Sequence, residues 1–71
     1  MEWQEYFKTN YGDILAVTFT GSVWVTSGGT QFSSAYEALK FELYSDLIAS
    51  GEDDVEWDEL KLADYGKWED V

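Results

Sequence analysis

Six carboxylates fall within eight residues, at Glu52, Asp53, Asp54, Glu56, Asp58 and Glu59. Clusters of this kind can hold a hard cation, work as paired acids in glycoside hydrolysis, or present a negative field to a basic partner. An EF-hand calcium loop requires Gly at its sixth position between two helices, and no acid in the cluster begins such a run. Weak, nonspecific association with Ca²⁺ or Mg²⁺ is all that is expected, and no metal site is assigned. Glycosidase carboxylates need a concave site around a sugar, and 71 residues leave little room for one.

Other chemistry is scarcer still. With no His and no Cys, the chain lacks an imidazole base, a thiolate nucleophile and the usual zinc ligands. Ser22, Ser27, Ser33, Ser34, Ser45 and Ser50 have no evident base to activate them. Gly28-Gly29-Thr30 precedes a helical pattern, as phosphate-cradling loops do. It lacks the Gly-Lys-Ser/Thr ending of a P-loop and the dinucleotide fingerprint, and reads as a turn. The expectation is a protein that is not an enzyme, with no catalytic residue and no cofactor.

The negative field remains. The chain carries 15 acids against four lysines, net charge −11, and nine of the acids lie in the last twenty residues. Such a surface repels nucleic acid and attracts proteins that bind it. The acids also alternate with large apolar residues in Asp54-Val55-Glu56-Trp57-Asp58-Glu59-Leu60, unlike the mostly polar composition of a disordered tail. On a strand, Glu56 and Asp58 would recur every ~6.6–6.8 Å, close to every second phosphate at the ~3.4 Å rise of one DNA strand. The partner surface is therefore placed on Glu52, Asp53, Asp54, Glu56, Asp58 and Glu59, with Asp64, Glu69 and Asp70 as outlying steering charges. Trp57 is its aromatic anchor, a residue type favoured at binding hot spots, although core is the commoner place for a Trp.

The elements that position these residues follow from periodicity. Trp3 to Lys8 reads as a first strand, ended by Asn10-Tyr11-Gly12-Asp13. Ile14 to Thr20 reads as a second, with Leu15, Val17 and Phe19 on one face. Gly21-Ser22 makes a tight hairpin turn into Val23 to Thr26, and Ser27 to Thr30 is a loop. Ser34 and Glu37 then have capping-box spacing, and Gly51 is a left-handed stop, predicting a helix from Ala35 to Ser50. Tyr36, Leu39, Leu43 and Leu47 should lie across the sheet. Phe41, Tyr44 and Ile48 form a second stripe that needs cover, either from the C-terminal segment or as a dimer or target surface. Val55, Trp57, Leu60 and Leu62 suggest a fourth strand near Glu56 to Leu62, followed by a tail; helical alignments of the same residues also exist.

The predicted fold is thus one α+β domain, residues 1–71. A three-stranded antiparallel sheet, extended by a C-terminal strand, packs on one helix. Its expected core is Phe7, Leu15, Val17, Phe19, Val23, Val25, Leu39, Leu43 and Leu47. A domain of this size buries only about 60% of its unfolded surface, and no disulfide can assist it. Thirteen aromatic residues, at about 150–250 Å² each, can compensate, with Trp3, Trp24, Trp57 and Trp68 expected in the core or at its rim. No apolar run reaches the ~20 residues of a membrane span, and the N-terminus lacks the pattern of a signal peptide. A cytoplasmic protein without membrane contact is expected.

In its small size, absence of Cys, acidity and mixture of strands with one helix, the whole chain resembles phage and mobile-element inhibitors. These include anti-CRISPR proteins, anti-restriction proteins and uracil-glycosylase inhibitors. That resemblance rests on type rather than on any diagnostic motif. It implies stoichiometric binding of a basic nucleic-acid-binding protein, a Cas effector among the candidates, by a DNA-like acidic surface in the host cytoplasm. An immunity protein or antitoxin against a basic toxin, or an acidic regulatory subunit, would use the same physics. Separately, strand, turn, strand, loop and then Phe32-Ser33-Ser34-Ala35-Tyr36-Glu37-Ala38-Leu39 resembles the sheet and helix of AP2-like and integrase arm-type DNA-binding domains. Those domains meet DNA with basic residues. Glu2, Glu5 and Asp13 against Lys8 alone argue against direct nucleic-acid binding here.

Overall fold

The computed structural model describes residues 3–69, so Asp70 of the expected partner surface lies outside the described residues. Strand β1 (Trp3–Thr9) pairs antiparallel with β2 (Ile14–Phe19), setting Phe7 opposite Leu15 and Glu5 opposite Val17. Side chains alternate between sheet faces, so Phe7, Leu15 and Val17 share one face, and all three are buried. The turn between these strands is closed by the Thr9 N–H donating to the Asp13 carbonyl at 2.8 Å and the Asp13 N–H donating to Thr9 Oγ1 at 2.9 Å. Gly12 within it takes φ +96°, a conformation that side chains with a Cβ resist.

The sheet has one strand more than expected. Beyond the Gly21-Ser22 turn, β3 (Trp24–Val25) pairs with β2, and β4 (Gln31–Phe32) pairs with β3. The Ser27–Thr30 segment, expected as a plain loop, closes this second hairpin. Buried Thr26 organises it: its N–H donates to the Thr30 carbonyl at 2.9 Å, and its Oγ1 accepts from the Thr30 N–H at 3.1 Å. A two-residue strand has no alternation for a periodicity argument to detect.

On the other side, β5 (Gly66–Glu69) pairs antiparallel with β1, giving the order β4-β3-β2-β1-β5. A C-terminal strand therefore exists, but not at Glu56 to Leu62. That stretch contains a 3₁₀ turn at Trp57–Glu59, and a second follows at Leu62–Asp64. Trp57 and Leu60 are three residues apart, so a strand would send them to opposite faces. One 3₁₀ turn, at three residues per turn, returns them to the same side.

Helix α1 (Ala35–Ala49) ends within one residue of expectation. Ser34 Oγ accepts from the Glu37 N–H at 3.2 Å, one half of the predicted capping box. At the other end Gly51 takes φ +94°, its N–H donating to the Ile48 carbonyl at 3.1 Å while the Glu52 N–H donates to Leu47 at 3.0 Å. These two bonds form a Schellman motif. The helix lies over β2, β3 and β4 and buries Ala38, Leu39, Leu43 and Leu47. Tyr36, expected in that stripe, is 46% exposed at the first turn.

Three expected core residues, Phe19, Val23 and Val25, are only half-buried, because a two-residue β3 leaves that corner open. Ala38, Leu60 and Leu62 take their place in the core. Of the tryptophans, Trp24 packs on Phe19 with ring centroids 5.1 Å apart, while Trp3 and Trp68 remain 60% and 47% exposed.

Gly66 is required for a reason other than backbone torsion. A Cβ there would stand 2.8 Å from Thr9 Cα and 2.9 Å from the Lys8 carbonyl carbon, and closer still to the Lys8 oxygen. These are backbone atoms that cannot swing aside. Gly66→Ala is expected to push β5 off β1 and to lower stability by about 2 kcal/mol, in the range of core overpacking, read from the urea midpoint.

Candidate functional site

The acids of the C-terminal segment ride on a strap, residues 52–65, that leads from the end of α1 to β5. Its inward residues are Val55, Trp57, Leu60, Leu62 and Tyr65. Leu60 and Leu62 are 5% and 2% exposed, and Val55 and Tyr65 pack against the same core. Trp57 is half-buried, its ring centroid 5.6 Å from Tyr44 at an interplanar angle of 90° and 6.3 Å from Phe41 at 69°. Both are edge-on arrangements favoured by the aromatic quadrupole. Lys40 Nζ sits 4.4 Å from the centroid of the same ring, within cation–π range.

Phe41 and Tyr44 thereby find the cover that their stripe demands, and Ile48, the third member, stays 45% exposed. Phe41 also meets Phe32 at 5.3 Å. The second stripe is consequently spent mostly within the chain.

On this strap Glu52, Asp53, Asp54, Glu56, Asp58 and Glu59 are all exposed, and Asp64 is exposed on the second 3₁₀ turn. Glu69 stands apart, half-buried on β5. The structure thus keeps seven of the expected acids on one anchored strap, six of them within residues 52–59. It removes the regular spacing: Glu56 has extended torsions, but Asp58 lies inside the 3₁₀ turn. There consecutive side chains diverge by about 120°, so the carboxylates fan out instead of forming a phosphate-like line.

Elsewhere, carboxylates hold the fold together. Glu42 accepts from both the N–H and the hydroxyl of Ser27 at 2.8 Å, tying the β3–β4 turn to α1. Asp46 accepts from the Tyr11 hydroxyl at 2.8 Å, tying the β1–β2 turn to the last turns of the helix. Sequence reasoning missed both roles, since partners 15 and 35 residues away leave no local signal.

Among the described residues, no group of three or more acids converges as a metal site would. Two hollows, of about 230 Å³ beside Trp68 and about 290 Å³ beside Tyr11, fall below the ~300–1,000 Å³ of ligand pockets. Of the strap acids, Glu52 alone lines either hollow. No helix among the described residues is long and apolar enough to cross a membrane. No family model matches the chain, and no curated protein or solved structure matches it either.

Two measurements probe how the strap and turns are held. Trp57→Ala is expected to lose about 2 kcal/mol, less than the ~3–5 kcal/mol of a fully enclosed Trp. Hydrogen exchange should accelerate along the strap while the β1–β2 amides remain protected. Tyr11 offers a pH test: desolvation, its bond to Asp46 and the charges of Asp46 and Asp13 all raise its phenol pKa above the ordinary value. Because the fold favours the neutral phenol, its stabilisation is present below pH ~10, where unfolded Tyr ionises, and is lost as pH rises further. Phenolate absorbance should show one late-titrating tyrosine that Tyr11→Phe removes.

Proposed function

We propose that this chain is a non-catalytic inhibitor of the phage type, which occupies the basic nucleic-acid-binding surface of another protein with its acidic strap. The observation that carries this reading is the placement of six exposed carboxylates on a segment pinned by Val55, Trp57, Leu60 and Leu62. A disordered acidic tail would lose conformational freedom on binding. An anchored strap has already lost it.

The position of these charges supports the same reading. The C-terminus of a helix carries the negative end of its macrodipole, and cations are the favoured residues there. Here the last turn of α1 has no basic residue, and Glu52, Asp53 and Asp54 follow immediately. An acid at an exposed helix end costs at most about 0.3–1 kcal/mol, and the effect fades beyond the last turn. A partner's Lys and Arg side chains would relieve that repulsion. Attraction of this sort chiefly accelerates encounter and selects basic partners. Because the acids fan out, they supply a negative field rather than a copy of the phosphate ladder. A Cas effector is the partner that the resemblance to anti-CRISPR proteins implies, with binding in a fixed ratio, no turnover and no cofactor.

The test is competition. Labelled DNA bound to a Cas effector should be displaced stoichiometrically, and added salt should slow capture of the effector by the inhibitor. Reversing charge in the double variant Glu56→Lys/Asp58→Lys should weaken inhibition by about tenfold or more and flatten its salt dependence, with circular dichroism unchanged. Full inhibition by the folded double variant would move the binding surface off the strap. An effector that keeps its DNA but no longer cuts would sink the occupancy mechanism.

A further inference from the structure

Among the described residues, the sheet ends on an unpaired edge at β5, the last strand in the order β4-β3-β2-β1-β5. Which backbone groups face that edge follows from the ladder. The Asn10 N–H donates to the Tyr65 carbonyl at 2.7 Å, and Asn10 continues the register in which Lys8 faces Lys67 and Tyr6 faces Glu69. Antiparallel strands alternate hydrogen-bonded with non-bonded pairs, so Lys67 and Glu69 direct their backbone groups to β1. Gly66 and Trp68 direct theirs outward. The helix packs mainly on β2, β3 and β4, and only its first turn nears β5, where Tyr36 lines a hollow with Gly66 and Trp68.

The side chains of β5 are arranged for a particular neighbour. Trp68 shares the helix-side face with Phe7, which it meets edge-on at 6.5 Å, yet it remains 47% exposed. On the opposite face Lys8 and Lys67 are direct cross-strand neighbours, a like-charge pairing that destabilises a sheet. In a chain of net charge −11 with only four lysines, two are thus set side by side. A lysine on an edge strand ordinarily discourages pairing. Here Glu69, two residues further along on the same face, changes that outcome.

We propose that the chain self-associates by antiparallel pairing of β5 with β5 of a second copy, about a two-fold axis through Trp68. That register exchanges backbone hydrogen bonds between the two Trp68 residues, whose N–H and C=O groups are the ones facing outward. It sets the two indoles side by side on the helix-side face. On the other face it places each Lys67 opposite Glu69 of the second copy, so that both lysine pairs gain a carboxylate neighbour. Charge complementarity in this one register argues for a second copy rather than an unrelated strand. The surface differs from the acidic strap, and the inference does not rest on the proposed function.

Four-residue edges bury less than the ~1,200 Å² of a stable interface, so association is expected at concentrations on the order of 0.1 mM. Screening of the net negative charge by ~0.15 M salt, where the Debye length is ~8 Å, should favour it. Sedimentation equilibrium on the full chain should show mass rising toward the dimer. Lys67→Glu alone places Glu opposite Glu at both ends of the pairing, and Glu69→Lys alone places Lys opposite Lys. Each should weaken self-association by about tenfold or more, in line with coupling between contacting charges, with near-ultraviolet circular dichroism confirming the fold. Mixed together, the two variants restore both opposite-charge pairs and should form a heterodimer of roughly wild-type affinity. A wild-type chain that stays monomeric to ~1 mM, well above the range for small interfaces, would overturn the proposal. So would a mixture of folded variants no more associated than either alone.

Discussion

The edge-on packing of Trp57 against Phe41 and Tyr44 is the contact on which the arrangement of this protein depends. A single helix over a small sheet buries one of its stripes, here Ala38, Leu39, Leu43 and Leu47, and leaves the adjoining aromatic stripe facing water. The chain closes the core with a strap, and every third or second residue of that strap must turn inward. Two 3₁₀ turns provide that geometry, bringing Leu60 and Leu62 into the core beside Phe7 and the helix leucines.

The same packing decides the electrostatics. Once Val55, Trp57, Leu60 and Leu62 face inward, Glu56, Asp58 and Glu59 between them face out, and with Glu52, Asp53 and Asp54 just before Val55 they crowd onto one exposed segment beside the negative end of a helix. Carboxylates elsewhere are used differently: Glu42 and Asp46 accept hydrogen bonds that fasten turns to the helix. The chain therefore holds two populations of acids, one structural and one solvent-facing. Among the described residues the second accepts no side-chain hydrogen bond, so it adds repulsion, and this is the physical basis of the proposed binding surface.

Size limits what the core can tolerate. With Trp3 mostly and Trp68 about half exposed and Phe19, Val23 and Val25 half-covered, several aromatic and β-branched residues contribute less burial than their composition promised. Precision at a few close approaches compensates, most visibly at Gly66, where β5 meets the backbone of Lys8 and Thr9 without room for a methyl group.

The amino-acid sequence alone determined the α+β class, the first two strands, the Gly21-Ser22 turn and the helix from its Ser34 cap to its Gly51 stop. Each of these is written in local periodicity or in residues whose torsions or hydrogen bonds act within a few positions. It also determined that residues 52–59 would be strongly acidic and interleaved with apolar anchors. Only the tertiary structure decided that Trp57 and Leu62 sit on 3₁₀ turns, that the fifth strand begins at Gly66, and that Gln31–Phe32 adds an edge. The physical reason is that these choices follow from where the helix leaves apolar surface uncovered and which edge of β1 stays open. Neither is encoded within a few residues of Trp57 or Gly66; both arise once the helix has docked on the sheet.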